Sequence, residues 1–174
     1  MSTIEPIAAA SVADPGLAAL IARAEQIGVP DRLFCGILAR VPDHAKALLR
    51  AMIASHAEGN VEHRLKELIR IRLARIAGDP YFGTLRSRRA LDGGLDEATV
   101  EAACGEFDED PRFTAAQKLA LRYADRMFRR PHELDEAFYA QLKSHYSEAQ
   151  IMELGAFIAF HYGMQVFMGT LKTS

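Results

Sequence analysis

The sequence predicts an all-α fold. Apolar residues recur at helical steps along nearly every segment, most clearly in Leu65, Leu68, Ile69, Ile71, Leu73 and Ile76. No segment sustains a period-two alternation of β-branched residues. Helix-starting and helix-stopping residues also fall between the periodic runs, with Asp-Pro, Thr or Ser before them and Gly or Pro after them.

The alanine-rich stretch 1–14 reads as a loose extension ahead of Asp14-Pro15-Gly16, and the first helix, Leu17 to Ile27, ends at Gly28 and Pro30. Asp31 to Val41 holds a short helix containing Cys35. Pro42-Asp43 opens the next helix, whose stripe of Leu48, Leu49, Met52 and Ile53 runs to Ala57 before Glu58-Gly59-Asn60 stops it. The Leu65 helix stops at Gly78, where a C-terminal glycine belongs. Asp79 then caps a second helix with Pro80 in its first turn, and Gly93-Gly94 ends it. Asp96 caps a short helix through Cys104, and Thr114 caps one through Phe128 that Pro131 stops. Asp135 to His145 is short. Ser147 and Glu148 open the last helix, Glu148 to Leu171, apolar almost all round and therefore buried in a core or at a subunit interface.

One domain spanning 1–174 accommodates these elements, because 174 residues with 49% hydrophobic and 25% charged residues can bury a real core. A net charge of -2 and a pI near 6.3 give no reason to expect nucleic acid or a membrane surface as partner. Cys35 and Cys104 have neither disulfide-framework nor zinc spacing and read as reduced thiols. The N-terminus lacks a basic leader pattern, and no uninterrupted apolar run is long enough for a bilayer, so the expected location is the cytoplasm.

Chemical character gathers at the Gly78-Asp79 join. On one continuous helix Asp79, Phe82 and Arg86 share a stripe, and a hairpin across Gly78 brings Glu67 towards it. A carboxylate beside a guanidinium, walled by Tyr81 or Phe82, is a seat for an anionic, partly unsaturated ligand. Equally concrete is a plain reading: Asp79 as a cap, Phe82 as core, and Glu67 with Arg86 as an ion pair joining two helices. Charge is polarised around the join, with eight Arg or Lys against two acids from His63 to Ala90, and eight acids against Arg112 from Leu91 to Ala115. That polarity either draws a carboxylate-bearing substrate, pairs surfaces across a subunit contact, or belongs to solvated helix faces. His161, beside Tyr162 on the last helix, is a candidate acid or base, although a lone histidine in an apolar helix is more often a hydrogen-bonded core or interface residue. His56, His63 and Glu67 recur at seven and four, but the break at Glu58-Gly59-Asn60 removes their common helix face, so no metal site is expected.

These residues resemble the carboxymuconolactone decarboxylase and alkyl hydroperoxidase D (AhpD-like) superfamily. In that family a helix of the type L..EL..LR.A precedes C-x-Y-C-x-x-H-x-x-x-A and then a glycine, a leucine and an acidic helix start. Here Glu67-Leu68 through Ala74, Asp79-Pro80-Tyr81-Phe82 through Ala90, and Gly94-Leu95-Asp96-Glu97 occupy those places. The segment Lys118 to Asp125 and the Ser147-Glu148 helix match longer members. The resemblance implies an AhpD-like fold of about seven to eight helices, assembled into trimers or hexamers, with a pocket walled partly by a neighbouring chain. Glu67 and Tyr81 are kept, whereas the family's two cysteines are Asp79 and Phe82 here and its histidine is Arg86. Without a motif thiol, cysteine-dependent peroxidase chemistry has no nucleophile. The leading expectation is a cofactor-free decarboxylase or proton-transfer enzyme acting on a small anionic organic acid or lactone. In it Glu67 is the acid or base, Arg86 the anion clamp, His161 a further acid or base, and Asp79, Tyr81, Phe82 and Tyr162 line the pocket. The alternative is a catalytically silent member that binds or assembles. An open pocket holding Glu67 and Arg86 favours the enzyme, and a closed buried ion pair favours the silent scaffold.

Overall fold

A computed structural model describes residues 3–171. Among these residues there are ten α-helices and no strand. They are α1 Pro15–Ile27, α2 Arg32–Leu38, α3 Pro42–Ala57, α4 His63–Ile76, α5 Pro80–Thr84, α6 Arg88–Asp92, α7 Glu97–Cys104, α8 Ala115–Arg129, α9 Glu136–Lys143 and α10 Glu148–Thr170. Eight of the ten start on a side chain that accepts a first-turn N–H: Asp14, Asp31, Asp79, Ser87, Asp96, Thr114, Asp135 and Ser147. Each such cap contributes roughly 1 kcal/mol by satisfying an otherwise orphaned donor.

α4 is the axis of the fold. Every residue from Leu65 to Ala74 is buried, including Lys66, Glu67, Arg70 and Arg72, because α3, α5, α6, α7, α8 and α10 all pack against it. One apolar cluster joins α4 to α7 through α10, with Leu68, Ile71, Leu121 and Phe157 fully enclosed. A second joins α1 to α3 and takes Ala74, Phe82 and Met168 from α4, α5 and α10. Phe82 meets Phe34 edge to face with ring centroids 5.5 Å apart, worth about 0.5–1.5 kcal/mol beyond the area buried. The stretch ahead of α1 lies against this second cluster. Ile7 N–H donates to the Gly36 carbonyl at 2.9 Å, and Arg40 Nε to the Glu5 carbonyl at 2.9 Å.

α4 ends as the glycine predicts. Gly78 takes φ 65°, its N–H reaches the Arg75 carbonyl at 3.1 Å, and the Asp79 N–H reaches Ala74 at 2.8 Å, the paired closure of a Schellman stop. The expected single helix from Asp79 to Gly93 is not found, however. α5 stops at Thr84, residues 85–87 are extended, and α6 restarts on the Ser87 cap. Asp79, Phe82 and Arg86 therefore do not share one helical stripe. The reason lies in α4, whose Arg70 and Glu67 take the backbone groups of this loop that a continuous helix would have used. Such five-residue pieces raise the helix count above the seven or eight expected.

α10 is 23 residues long, and by length and composition alone it is the one described helix able to cross a bilayer. Glu153, Gly155 and Gly163 interrupt its apolar run without stopping the helix, which is why no such run stands out in the sequence. It is not apolar-buried all round. Leu154, Phe157, Ile158, His161, Gln165 and Met168 face inward, while Met152, Val166 and Phe167 are 71%, 43% and 42% exposed.

Candidate functional site

The turn between α3 and α4 builds the site. Glu153 of α10 accepts the N–H groups of Asn60 at 2.7 Å and Val61 at 3.2 Å, and its approach leaves no room for a Cβ on Gly59, which has φ 97°. Lys66 reaches back to the last carbonyls of α3, donating to Ser55 at 2.9 Å and to Glu58, and pairs with Glu153 at 2.9 Å. The helix break that separates His56 from His63 in sequence thus folds them together, with ring centroids 4.7 Å apart.

Glu67 lies at the centre and is 0% exposed. Its Oε1 accepts from Arg70 Nη2 at 2.9 Å and from the Ser87 N–H at 2.7 Å. Its Oε2 accepts from Arg70 Nε at 2.9 Å and from His56 Nε2 at 2.8 Å. Four donors fill the carboxylate's four lone-pair directions. Arg70 is equally enclosed, giving Nη1 to the Phe82 carbonyl at 2.8 Å and Nη2 to the Leu85 carbonyl at 2.6 Å. Burial by itself raises the Glu67 carboxyl, but the Arg70 guanidinium together with His56 outweighs it and holds the group well below the usual carboxylate range.

The imidazoles follow from this anchor. Because ionised Glu67 only accepts, His56 carries its proton on Nε2, and Nδ1 is left as a lone pair with no hydrogen-bond partner. His63 Nδ1 donates to the His56 carbonyl at 2.8 Å, so its Nε2 accepts from Ser87 Oγ at 2.6 Å. His161 sits with its ring 5.8 Å from His56 and 4.1 Å from Phe157, and its Nε2 is 3.4 Å from Ser55 Oγ. Burial lowers the pKa of all three, His161 furthest, where the nearby His56 and Arg70 add to it. They are neutral imidazoles at pH 7. No group of three or more His, Cys, Asp or Glu among the described residues is arranged to hold a metal ion.

Of the candidates read from the sequence, Glu67 and His161 share this cluster. Arg86 does not reach it. Its guanidinium pairs with Glu97 at 2.8 Å and donates to the Gly83 and Leu85 carbonyls, because the extended residues 85–87 turn it outward, and Arg70 takes the place beside Glu67. Asp79 caps α5 through Oδ1, while Oδ2 is buried without a partner and burial raises the carboxyl. The Tyr81 hydroxyl donates to Asp31, and burial raises its pKa. Phe82 is core. Tyr162 stacks on Phe128 at 3.7 Å. Burial also pushes the Cys35 thiol up to about 12 and raises Cys104, so neither is a ready thiolate.

His56, His63, Arg70 and Ser87 are the site residues that sequence reasoning passed over. The signal for two of them was the seven-and-four spacing to Glu67, and for Arg70 it was the i, i+3 step on the same helix.

Neither a family model nor a curated protein matches the sequence. Solved structures do. A cysteine-to-alanine variant of the debrominase Bmp8 in complex with 2,3,4-tribromopyrrole superimposes with a TM-score of 0.81 at 22% identity, over 98% of this chain and 90% of that one. An AhpD-core, uncharacterised peroxidase-related protein from Ralstonia eutropha JMP134 gives 0.79 at 15% identity, over 99% and 91%. A peroxidase-related protein from Silicibacter sp. TM1040 gives 0.75 at 17%, over 100% and 94%. The fold of this chain is AhpD-like.

Proposed function

We propose that this AhpD-fold protein is a proton-transfer enzyme, of lyase or decarboxylase type, acting on a small anionic organic acid or lactone, with His56 as its base. The observation that carries this reading is the Glu67–His56 pair: a carboxylate fixes the tautomer and orientation of an imidazole whose other nitrogen keeps a free lone pair. When Nδ1 takes a proton, Glu67 stabilises the imidazolium. Glu67 is then a positioning residue rather than the acid or base, since all four of its lone-pair directions are occupied. His56 is 1% exposed, so a substrate reaches Nδ1 only through local opening. The neighbours with the same fold include a debrominase and peroxidase-related proteins; one fold serves several chemistries, and the site decides among them.

The test is solvent-deuterium incorporation, or carbon dioxide release, across a panel of small keto acids and lactones. His56→Gln keeps an N–H donor towards Glu67 and removes the base, and it is expected to cost about 10²–10⁴-fold in turnover. Unchanged turnover in a folded His56→Gln protein overturns the assignment. A second reading, the catalytically silent scaffold, is favoured by the closure of the cluster, with Glu67, His56 and His161 at 0%, 1% and 2% exposure. It predicts no turnover with any panel member.

The same proposal includes a homo-oligomer, a trimer or hexamer, supported by the exposed apolar side chains of Met152, Val166 and Phe167 on α10. It also places the protein in the cytoplasm, in keeping with two free thiols. Light scattering on the purified chain reads the assembly directly.

A further inference from the structure

Where the elbow between α2 and α3 meets the end of α10, a groove of about 330 Å³ is left open. Its floor is apolar, made by Ile37 and Ala45, both buried, and by half-buried Leu48. Its lips are apolar as well and stay in solvent: Val41 is 52% exposed and Phe167 42%. Exposed apolar side chains gathered at one concavity, unlike single ones scattered over a surface, mark a place that binds. Ile4 closes one side of the groove. It belongs to a stretch tied down by main-chain bonds from Thr3 N–H to Leu171 and from Ile7 N–H to Gly36, at 2.9 Å each.

Among the described residues that line the groove, two side chains are polar, Arg40 and His44, and none is an acid. Arg40 donates from Nε to the Glu5 carbonyl at 2.9 Å, and its two terminal nitrogens have no acceptor among the described residues. The acids nearest in sequence do not take them up. Glu5 meets Arg40 through its main chain, and the Asp43 carboxylate pairs with Lys46 at 3.0 Å. The Nε bond thus holds the guanidinium at the rim with four N–H donors left over, beside an apolar floor.

We infer that this groove binds an amphipathic anion, a carboxylate on a short unbranched alkyl tail, with the head on Arg40 and the tail along Leu48, Val41 and Phe167. A carboxylate accepts from two guanidinium nitrogens in a fork, which supplies the acceptors that Arg40 lacks. The tail takes its own surface and that of the two lips out of water. Size follows from volume: ligand pockets run from about 300 to 1,000 Å³, and this groove lies at the small end, so a tail of about eight carbons suits it. The site shares no residue with the Glu67 cluster and does not rest on the proton-transfer reading above.

Isothermal titration of the full chain with butanoate, hexanoate and octanoate, each below its micelle concentration, tests the site, with octylammonium and sodium chloride as controls. Affinity is expected to rise about two- to fourfold per added methylene, with one equivalent of octanoate bound and octylammonium at least tenfold weaker. Arg40→Gln is expected to weaken octanoate at least fivefold and to remove the preference for the anion while the dependence on tail length stays. Val41→Asp sits at the exposed N-cap of α3, where aspartate is itself a good cap, so the fold is kept and the new carboxylate is expected to weaken octanoate at least tenfold. A response flat in tail length, equal affinity for octylammonium and octanoate, or octanoate binding unchanged in folded Arg40→Gln overturns the inference. So does a second copy as the occupant, read by light scattering as a mass that falls on Val41→Asp while octanoate binds neither protein.

Discussion

Two glutamate–arginine pairs flank the same loop and behave as different chemical objects. Glu67 with Arg70 is sealed in the interior at 0% exposure on both sides, every lone pair of the acid occupied and the guanidinium spread over two loop carbonyls. Arg86 with Glu97 has the same distances but a glutamate that is 66% exposed. Contact geometry alone would rank them equal. What separates them is the consequence of losing one partner: at the surface water takes its place, whereas inside the remaining charge has nowhere to go.

The largest effect belongs to Arg70→Met, which fills similar volume but strands the Glu67 charge. We expect about 3–5 kcal/mol of destabilisation, read as a lower urea midpoint with an unchanged m-value. A loss below about 1 kcal/mol would erase the distinction between the two pairs.

Acid comes next. Burial holds His56, His63 and His161 below their ordinary 6.5, so the unfolded chain binds protons there before the folded one does. The melting temperature should be level above about pH 7 and fall as pH drops through 6.5. Glu67, held well below 4.5, adds to the fall in the same direction only at pH values under 4.5. His161→Phe should flatten the upper part of the curve, and a melting curve independent of pH between 7 and 5 would contradict the neutral cluster. The smallest change expected is Glu97→Gln, within about 1 kcal/mol and diminished further by salt.

The sequence made the helical class and the site's neighbourhood readable because caps, periodicity and the Gly78 stop are local properties. Asp79, Asp96, Thr114 and Ser147 do in the structure what their positions announce. The loop at 85–87 was not readable, since nothing within Leu85-Arg86-Ser87 forbids a helix and the groups that unwind it lie on α4. Arg86 looks like the partner of Glu67 in the sequence for that same reason. The true partner, Arg70, was one turn away on the same helix and counted only as one charge among many. The helix break between His56 and His63 reads in sequence as separation, whereas the turn it makes is what stacks α3 on α4.

One consequence of the Glu67 carboxylate reaches beyond chemistry at the site. The Ser87 amide is outside any helix, in a stretch that would ordinarily trade its hydrogen with water within seconds. Its bond to Glu67 at 2.7 Å, in a place without solvent, ties that exchange to the opening of the core itself. Measured by hydrogen–deuterium exchange, this loop amide should persist as long as those in the middle of α4, and so report the global unfolding free energy from a residue that secondary structure alone would class among the fastest to exchange.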